Sequence, residues 1–241
     1  MSNDPIARRS VLITGANRGI GQALLEEALR RGASRVYAGM RKPLEHPDER
    51  VTTLSLDVTD DAEIQSAAES VDALDVLINN AGIMLYDDLD DRTLIDQSLA
   101  VNLFGTYAVT RAFLPHLMQS RGAIVNVSSV AAIAAVPMTP AYSISKAAAL
   151  SLTQVQRALL SASGVRVHAV LAGPVDTEMS REIHVPKATP ESVAQAIFNG
   201  MAAGDEEIFP DPLSAPLAPG WSTSPVKALE RQNAALLEAA R

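Results

Sequence analysis

The chain has 241 residues, of which 47% are hydrophobic and 20% charged, and its formal net charge is −8. This length suits one α/β domain, and the apolar content is sufficient for a sheet covered by helices on both faces. The acidic balance argues against nucleic acid or anionic lipid as a partner, and the absence of cysteine excludes disulfides, thiolate catalysis and the common zinc sites.

No apolar run approaches the roughly 18 residues of a membrane span, and the polar segment 1–10 lacks the core of a signal peptide. We therefore expect a cytoplasmic protein with no membrane partner. The four histidines are dispersed and give no metal-ligand spacing, so no metal site is expected. Any redox chemistry would need an organic cofactor.

Short β-branched runs alternate with longer amphipathic stretches along residues 1–241. The predicted strands are residues 10–14, 35–40, 52–58, 75–79, 123–128 and 166–171. Residues 76–78 and 124–127 are apolar without alternation, which indicates strands buried on both faces of a parallel sheet. The sequence therefore predicts a single domain of the α/β class, with a doubly wound parallel sheet and helices on both faces.

Two segments depart from this regular alternation. The interval 41–50 is too short for a full helical crossover, so we predict a helix of only one or two turns there. Residues 210–225 are rich in Pro, Ser and Gly and are predicted to be irregular, with a C-terminal helix over 226–240.

The first strand runs into Thr14-Gly15-Ala16-Asn17-Arg18-Gly19-Ile20-Gly21. Glycines at a strand-to-helix turn allow close backbone approach, and the N–H groups of the following helix favour a pyrophosphate. The spacing is Gly-x-x-x-Gly-x-Gly, which differs from the common Gly-x-Gly-x-x-Gly fingerprint. The pattern predicts a dinucleotide site, with a turn that binds no ligand as the alternative.

Tyr142 and Lys146 are four residues apart and would share one face of a helix. A neighbouring ammonium favours the phenolate, so we expect Lys146 to lower the pKa of Tyr142 and make it a proton relay. Ser129 follows an apolar strand at the edge where parallel sheets bind ligands, and Ser128 is its competitor. Asn102 interrupts an apolar helical stretch, where a buried amide needs a partner, and a purely structural kink is the alternative.

These motifs, together with Asn79-Asn80-Ala81-Gly82 and residues 173–177, stand in the order and spacing of the short-chain dehydrogenase/reductase family. The resemblance covers about residues 8–200 and is to the single-domain, NADP-preferring carbonyl reductase type. It implies a Rossmann-type fold. The catalytic residues it implies are Asn102, Ser129, Tyr142 and Lys146. In this scheme Ser129 donates a hydrogen bond to the substrate oxygen, Lys146 also holds the nicotinamide ribose, and Asn102 holds a water that links the lysine to solvent.

The cofactor preference depends on the residues after the second strand. Met40 stands where an NAD-selecting acid is expected, and Arg41 follows it. Arg18 and Arg41 could clamp a 2′-phosphate, so we predict NADP (NADPH/NADP+), with solvated surface charges as the alternative. The cofactor-binding residues implied by the resemblance are Gly15, Asn17, Arg18, Gly19, Ile20, Gly21, Arg41, Asp57, Val58, Asn79, Ala81, Gly82, Tyr142, Lys146, Gly173, Val175 and Thr177.

The resemblance also shows two departures. Ala172 occupies a position where relatives often have proline, so the turn after it is expected to be looser. Relatives commonly end with a strand and Asp-Gly-Gly, whereas residues 206–211 read Glu-Glu-Ile-Phe-Pro-Asp. The last strand is therefore left open.

Together these features predict an NADP(H)-dependent oxidoreductase that interconverts a ketone or aldehyde and its alcohol, with Tyr142 as proton donor or acceptor. The expected substrate is a small hydrophobic carbonyl compound or secondary alcohol. The predicted pocket residues are Ile133, Val136, Pro137 and Met138, with a lid that includes Met179 and Ile183. The alternatives are a catalytically silent NADP-sensing regulatory or scaffold protein and, less favoured, an epimerase or dehydratase. The resemblance also implies a homodimer or homotetramer.

Overall fold

The computed structural model describes residues 4–239, which contain one parallel sheet of seven strands in the order β3-β2-β1-β4-β5-β6-β7. The strands are β1 (Ser10–Thr14), β2 (Arg35–Met40), β3 (Val51–Ser55), β4 (Val76–Asn79), β5 (Ala123–Ser129), β6 (Arg166–Ala172) and β7 (Glu207–Ile208). The strand order reverses direction between β1 and β4, which is the doubly wound, Rossmann-type arrangement. The predicted fold class is confirmed.

Helices cover both faces of this sheet. The α-helices are α1 (Gly19–Arg30), α2 (Asp61–Glu69), α3 (Arg92–Leu99), α4 (Thr106–Ser120), α5 (Pro140–Leu160), α6 (Pro190–Ala203), α7 (Ala218–Ser222) and α8 (Pro225–Ala239). A π-helix, Ala100–Gly105, joins α3 to α4. Val11 and Ile13 of β1 pack in one core with α1 and α6, while Leu12 packs in a second core with α2 and α4. Successive side chains of β1 therefore contribute to the hydrophobic cores on both faces of the sheet.

The crossover between β2 and β3 contains no helix, so the predicted helix of one or two turns is wrong. Pro43 and Pro47 lie in this short interval, and proline removes a backbone donor that a helix would use. The segment is held instead by Arg50, whose guanidinium pairs with Asp48 at 2.6 Å and donates to the carbonyl oxygen of Leu29 at 3.1 Å.

The C-terminal region is more regular than the sequence predicted. Residues 210–225 contain a 3₁₀ turn, Ala215–Leu217, and the short helix α7. The predicted helix over 226–240 corresponds to α8, and residue 240 lies outside the described residues. Within residues 4–239, no helix combines the length and apolar character needed to cross a bilayer. The cytoplasmic location stays a prediction.

Candidate active site

A cleft of about 1380 Å³ lies at the carboxyl edge of the sheet, where residues that follow β1, β2, β4, β5 and β6 meet. This is the edge at which open parallel sheets bind ligands. The sequence-predicted residues that line it are Gly15, Asn17, Arg18, Gly19, Ile20, Gly21, Arg41, Asp57, Val58, Ala81, Gly82, Ser129, Tyr142, Lys146, Gly173, Val175 and Thr177. Two predicted residues, Asn79 and Asn102, are not part of the lining.

The glycine turn is built so that side chains cannot fill it. Gly19 has φ +54°, a left-handed conformation that favours glycine, and it begins α1. A Cβ on Gly21 would lie 2.1 Å from the carbonyl oxygen of Gly15, which leaves no room for any side chain. The exposed N-terminus of the twelve-residue helix α1 thus opens onto the cleft. Such a cradle fits the pyrophosphate of a dinucleotide.

Asn80, which was not among the predicted site residues, fixes this turn from the end of the neighbouring strand. Its side-chain nitrogen donates to the carbonyl oxygens of Thr14 at 2.9 Å and Gly15 at 3.3 Å. The Thr14 hydroxyl accepts in return from the backbone N–H groups of Asn80 and Ala81, both at 3.0 Å. The signal for Asn80 was its position as the first residue beyond β4, because β4 pairs directly with β1.

Asn79 lies inside the protein and not at the cleft, which corrects its assignment to the cofactor site. Its side-chain nitrogen donates to Thr110 Oγ1 and to Asn126 Oδ1, both at 2.9 Å. Successive side chains of a strand point to opposite faces, so the last residue of β4 is turned under α4. Asn79 therefore links β4 to β5 and α4.

Tyr142 and Lys146 share one face of α5 and both line the cleft. The Lys146 Nζ lies 5.6 Å from the centroid of the Tyr142 ring and donates to the carbonyl oxygen of Val127 at 2.9 Å. Lys146 is only 6% exposed, and no carboxylate within 4 Å pairs with it among the described residues. Burial without a counter-ion lowers the pKa of Lys146 to about 8.

The pKa of the Tyr142 phenol is shifted in the direction opposite to the sequence prediction. Burial raises its pKa above the usual value, and a hydrogen bond with Ser129 partly opposes this increase. Lys146 does not contribute to the shift, since its ammonium is directed to the Val127 carbonyl. The expectation that Lys146 lowers the pKa of Tyr142 is wrong for this structure, because burial raises that pKa, and Tyr142 is a neutral phenol at neutral pH.

Ser129 and Ser128 differ in the partners of their hydroxyl groups. Ser129 Oγ accepts from the backbone N–H of Ala131 at 3.1 Å, which aims its proton away from that amide and towards Tyr142. Ser128 Oγ donates to the backbone carbonyl of Lys146 at 3.4 Å and is occupied there. This geometry favours Ser129 as the hydroxyl that faces a reacting oxygen.

Asn102 lies in the π-helix, directly behind the cleft wall, and is 1% exposed. Its amide exchanges two hydrogen bonds with the backbone of Ile83, both at 2.9 Å, and donates to Ser145 Oγ at 2.9 Å. A Cβ on Gly82 would lie 3.0 Å from Asn102 Oδ1 and 3.6 Å from Lys146 Nζ. Asn102 thus lies in an irregular helical turn of the kind that often occurs near functional sites, and its catalytic role stays a prediction.

The two predicted phosphate-binding arginines differ in whether a carboxylate pairs with them. Arg18 forms an ion pair with Glu178, which joins the glycine turn to the segment after β6. Arg41 has no carboxylate within 4 Å among residues 4–239. Burial tends to raise the pKa of Asp57, but hydrogen bonds from Thr59 and the charge of Arg41 hold it below its usual value. Arg41 thus lines the cleft directly after β2, whereas Arg18 is held towards the segment that follows β6.

The opposite end of the cleft is apolar and partly covered by a loop. Val136, Met138, Met179 and Ile183 line it as predicted, whereas Ile133 and Pro137 do not. Met84, Tyr86 and Val185 also line this end, together with the polar side chains of Thr139, Glu182 and His184. A bridge between Val175 and Ala188 closes the base of the loop, with backbone hydrogen bonds of 2.8 and 3.1 Å. Among the described residues no group of three His, Cys, Asp or Glu side chains could hold a metal ion.

The chain belongs to the short-chain dehydrogenase family, since residues 9–187 match that family. It is 33% identical over 193 residues to mouse estradiol 17-beta-dehydrogenase 2, a match that covers 73% of this chain and 50% of the mouse protein. It is 34% identical over 190 residues to oxidoreductase UcpA of Salmonella typhimurium, covering 73% of this chain and 72% of that protein.

The chain is also similar to a solved structure, a short chain dehydrogenase from Burkholderia cenocepacia in complex with NADP. The two are 37% identical, with a TM-score of 0.86, and the superposition covers 94% of this chain and 98% of the other. The fold match is therefore nearly complete. With the mouse relative, by contrast, the chain shares only half of the longer protein's length.

Proposed function

We propose that this chain is an NADP(H)-dependent oxidoreductase that interconverts a ketone or aldehyde and the corresponding alcohol. The observation that carries the proposal is the meeting of Tyr142, Ser129 and Lys146 in the same cleft as the glycine turn of β1 and α1. Bound NADPH would supply a hydride to a carbonyl carbon there. Homologues are named dehydrogenases and oxidoreductases, and NADP is bound in the Burkholderia neighbour.

The protein's own groups perform the proton chemistry. Tyr142 is a neutral phenol because its pKa is raised by burial, so it is poised to donate its proton to a carbonyl oxygen during reduction. Ser129 donates a second hydrogen bond to that oxygen and stabilises the charge that develops on it. In the reverse direction Tyr142 must first lose its own proton before it can accept that of the alcohol, so the raised pKa of the phenol should make oxidation require a higher pH than reduction.

Asn102 stabilises the position of the helix that carries Tyr142 and Lys146. It holds the backbone of Ile83 and the Ser145 hydroxyl, which in turn donates to the Tyr142 carbonyl oxygen at 2.7 Å. The amide thereby ties the wall that follows β4 to the helix that carries Tyr142 and Lys146. We propose that it also holds a water between Lys146 and solvent.

The experiment that tests this function is a panel of aliphatic and aromatic ketones and aldehydes, with NADPH consumption followed by absorbance. The apolar side chains of Val136, Met138, Met179 and Ile183 favour a hydrophobic substrate. We expect turnover with at least one hydrophobic carbonyl compound. A protein that binds NADPH tightly but reduces none of them would instead be the silent cofactor sensor.

Arg18 and Arg41 should determine the preference for NADPH over NADH. Each charge-assisted contact to the 2′-phosphate is worth about tenfold in affinity, so Arg41→Ala should lower kcat/KM for NADPH by about that factor and leave NADH nearly unchanged. Arg18→Ala should act in the same direction. The measurement is the ratio of kcat/KM for the two cofactors.

Glu178→Gln tests the role of Arg18 in the opposite direction. Glu178 binds Arg18 in the structure, so the neutral variant should free the guanidinium and tighten NADPH binding. Equal use of NADH and NADPH by the unmodified protein would refute the assignment of both arginines.

We also propose that the protein forms a homodimer or homotetramer through α4 and α5. Ile144, Val155 and Leu159 form an exposed apolar stripe on α5, and Phe104 and Tyr107 are exposed on the neighbouring π-helix and α4. Exposed apolar surface of this kind is typical of a self-association face. Light scattering should give a dimer or tetramer mass, and Val155→Glu should lower that mass. A monomer at all concentrations would contradict this proposal.

A further inference from the structure

Asp211 connects the C-terminal region to the cleft. It follows β7, is only 4% exposed, and its Oδ2 accepts from the backbone N–H of Gly173 at 2.7 Å. Gly173 lines the cleft directly, whereas Asp211 does not. The carboxylate therefore reaches the cofactor site through one backbone amide, 38 residues away in the chain.

The carboxylate is held rigidly by its own turn. The backbone N–H groups of Leu213 and Ser214 donate to Oδ1 at 3.1 and 3.0 Å, and the Ser214 hydroxyl donates to Oδ2 at 2.6 Å. No Lys, Arg or His pairs with Asp211 within 4 Å in the described part of the chain. An anion surrounded only by neutral donors depends on each of them, so the Gly173 contact is a required partner and not an incidental one.

Gly173 needs this partner because its sheet neighbour is missing. Pairing between β6 and β7 ends at Val170 and Ile208, so the ladder supplies no acceptor for the Gly173 N–H on that side. Ala172 also lacks the ring that would fix the backbone before the turn if proline stood there. A Cβ on Gly173 would lie 2.6 Å from Asp211 Oδ1, which shows how closely the carboxylate and the backbone approach.

The turn that starts at Gly173 ends against the glycine turn. The Thr177 Cγ2 lies 3.1 Å from the position that a Cβ on Gly19 would occupy. Residues 173–177 are thus held at one end by Asp211 and rest against α1 at the other. A small shift at Gly173 would move the wall of the cleft at Val175 and Thr177.

We infer that Asp211 is a positioning residue that fixes the turn 173–177 for the nicotinamide half of the cofactor, because Ala172 pairs with Ser129 and the turn therefore begins beside the end of the cleft where hydride transfer is proposed. This inference rests on the proposed NADP(H) function. The C-terminal segment would thereby help to position the bound cofactor.

The test compares two ligands in Asp211→Ala and Asp211→Asn. NADPH carries the nicotinamide half, and adenosine 2′,5′-bisphosphate lacks it. Loss of a hydrogen bond from a charged acceptor should weaken NADPH binding by about tenfold and lower kcat, while the fragment binds within about twofold of the original affinity. Asp211→Asn retains an acceptor oxygen and should recover part of the NADPH affinity.

Asp91→Ala is the matched control, since Asp91 is a carboxylate that caps α3 through the backbone N–H of Thr93 at 2.8 Å and does not line the cleft. It should lower the unfolding temperature but keep the ratio of the two affinities. If the alanine variant of Asp211 does not fold, the asparagine variant must still show the selective loss for NADPH. Equal weakening of both ligands, or no weakening in a protein that turns over NADPH, overturns the inference alone. An unmodified protein that binds no NADPH overturns the proposed function as well.

Discussion

Replacing Tyr142 by Phe should lower kcat by a factor of about 10² to 10⁴, the range that a positioned proton donor contributes to catalysis. The ring and its packing remain, so NADPH affinity should stay within about twofold, because only one hydroxyl is removed. Ser129 cannot replace the phenol, since an aliphatic hydroxyl is a much weaker acid. Steady-state rates and a fluorescence titration with NADPH check both halves of this expectation.

Tyr37→Phe is the matched control for this experiment. Burial raises the pKa of the Tyr37 phenol as it does for Tyr142, but Tyr37 lies in the core between the sheet and α2, away from the cleft. Turnover by this variant should remain close to that of the unmodified protein. Near-normal turnover by Tyr142→Phe would mean that another group delivers the proton.

The two buried lysines should respond in opposite directions to replacement by Met. Lys146 has no carboxylate partner, and burial lowers its pKa to about 8. The unfolded chain binds this proton with a pKa of about 10.4, so at neutral pH the protonated group destabilises the fold by about 3 kcal/mol. Lys146→Met should therefore raise the free energy of unfolding by about 2 kcal/mol after the lost bond to Val127 is counted, and it should also remove turnover.

Lys227 has the opposite environment. It is 2% exposed, and its Nζ lies 2.7 Å from Glu206, 2.9 Å from Glu207 and 3.0 Å from Glu230. Lys227→Met would leave three carboxylates together with less compensation, and breaking a buried pair of this kind costs about 3–5 kcal/mol. This cluster fastens α8 to β7, so the same variant should free the C-terminal helix.

Denaturant titrations at pH 7 and pH 10 measure both effects. A base whose pKa is lowered by folding makes stability rise with pH between its folded and unfolded values, here from about 8 to 10.4. The gain in the free energy of unfolding from Lys146→Met should thus be smaller at pH 10 than at pH 7. An advantage that is absent at pH 7, or that grows at pH 10, would contradict the buried, unpaired state of Lys146.

The sequence was sufficient for features that depend on local pattern. Continuous apolar strands and the glycine turn predicted the sheet, its parallel direction and the carboxyl edge as the site. The family resemblance implied Ser129 and not Ser128, and the hydroxyl contacts favour the same choice. Such features are set by periodicity and short motifs, which a single sequence displays.

The sequence did not reveal features that depend on depth or on distant contacts. The pKa of Tyr142 depends on burial and on where the Lys146 ammonium points. Neither can be predicted from the four-residue spacing of Tyr142 and Lys146. Asn79 and Asn80 are adjacent in the chain, yet strand alternation turns one inward and leaves the other at the glycine turn. The contact from Asp211 to Gly173 joins segments whose proximity only the folded sheet creates.

The most direct test of the account follows the hydride itself. The protein is incubated with a hydrophobic ketone that it reduces and with NADPH that carries deuterium at the transferable position, and the alcohol is analysed by mass spectrometry and NMR. We expect one deuterium on the carbinol carbon, in an amount equal to the NADPH consumed, and no such product from Tyr142→Phe in the same time. An alcohol without deuterium, or NADPH consumption without alcohol, would contradict hydride transfer at this site.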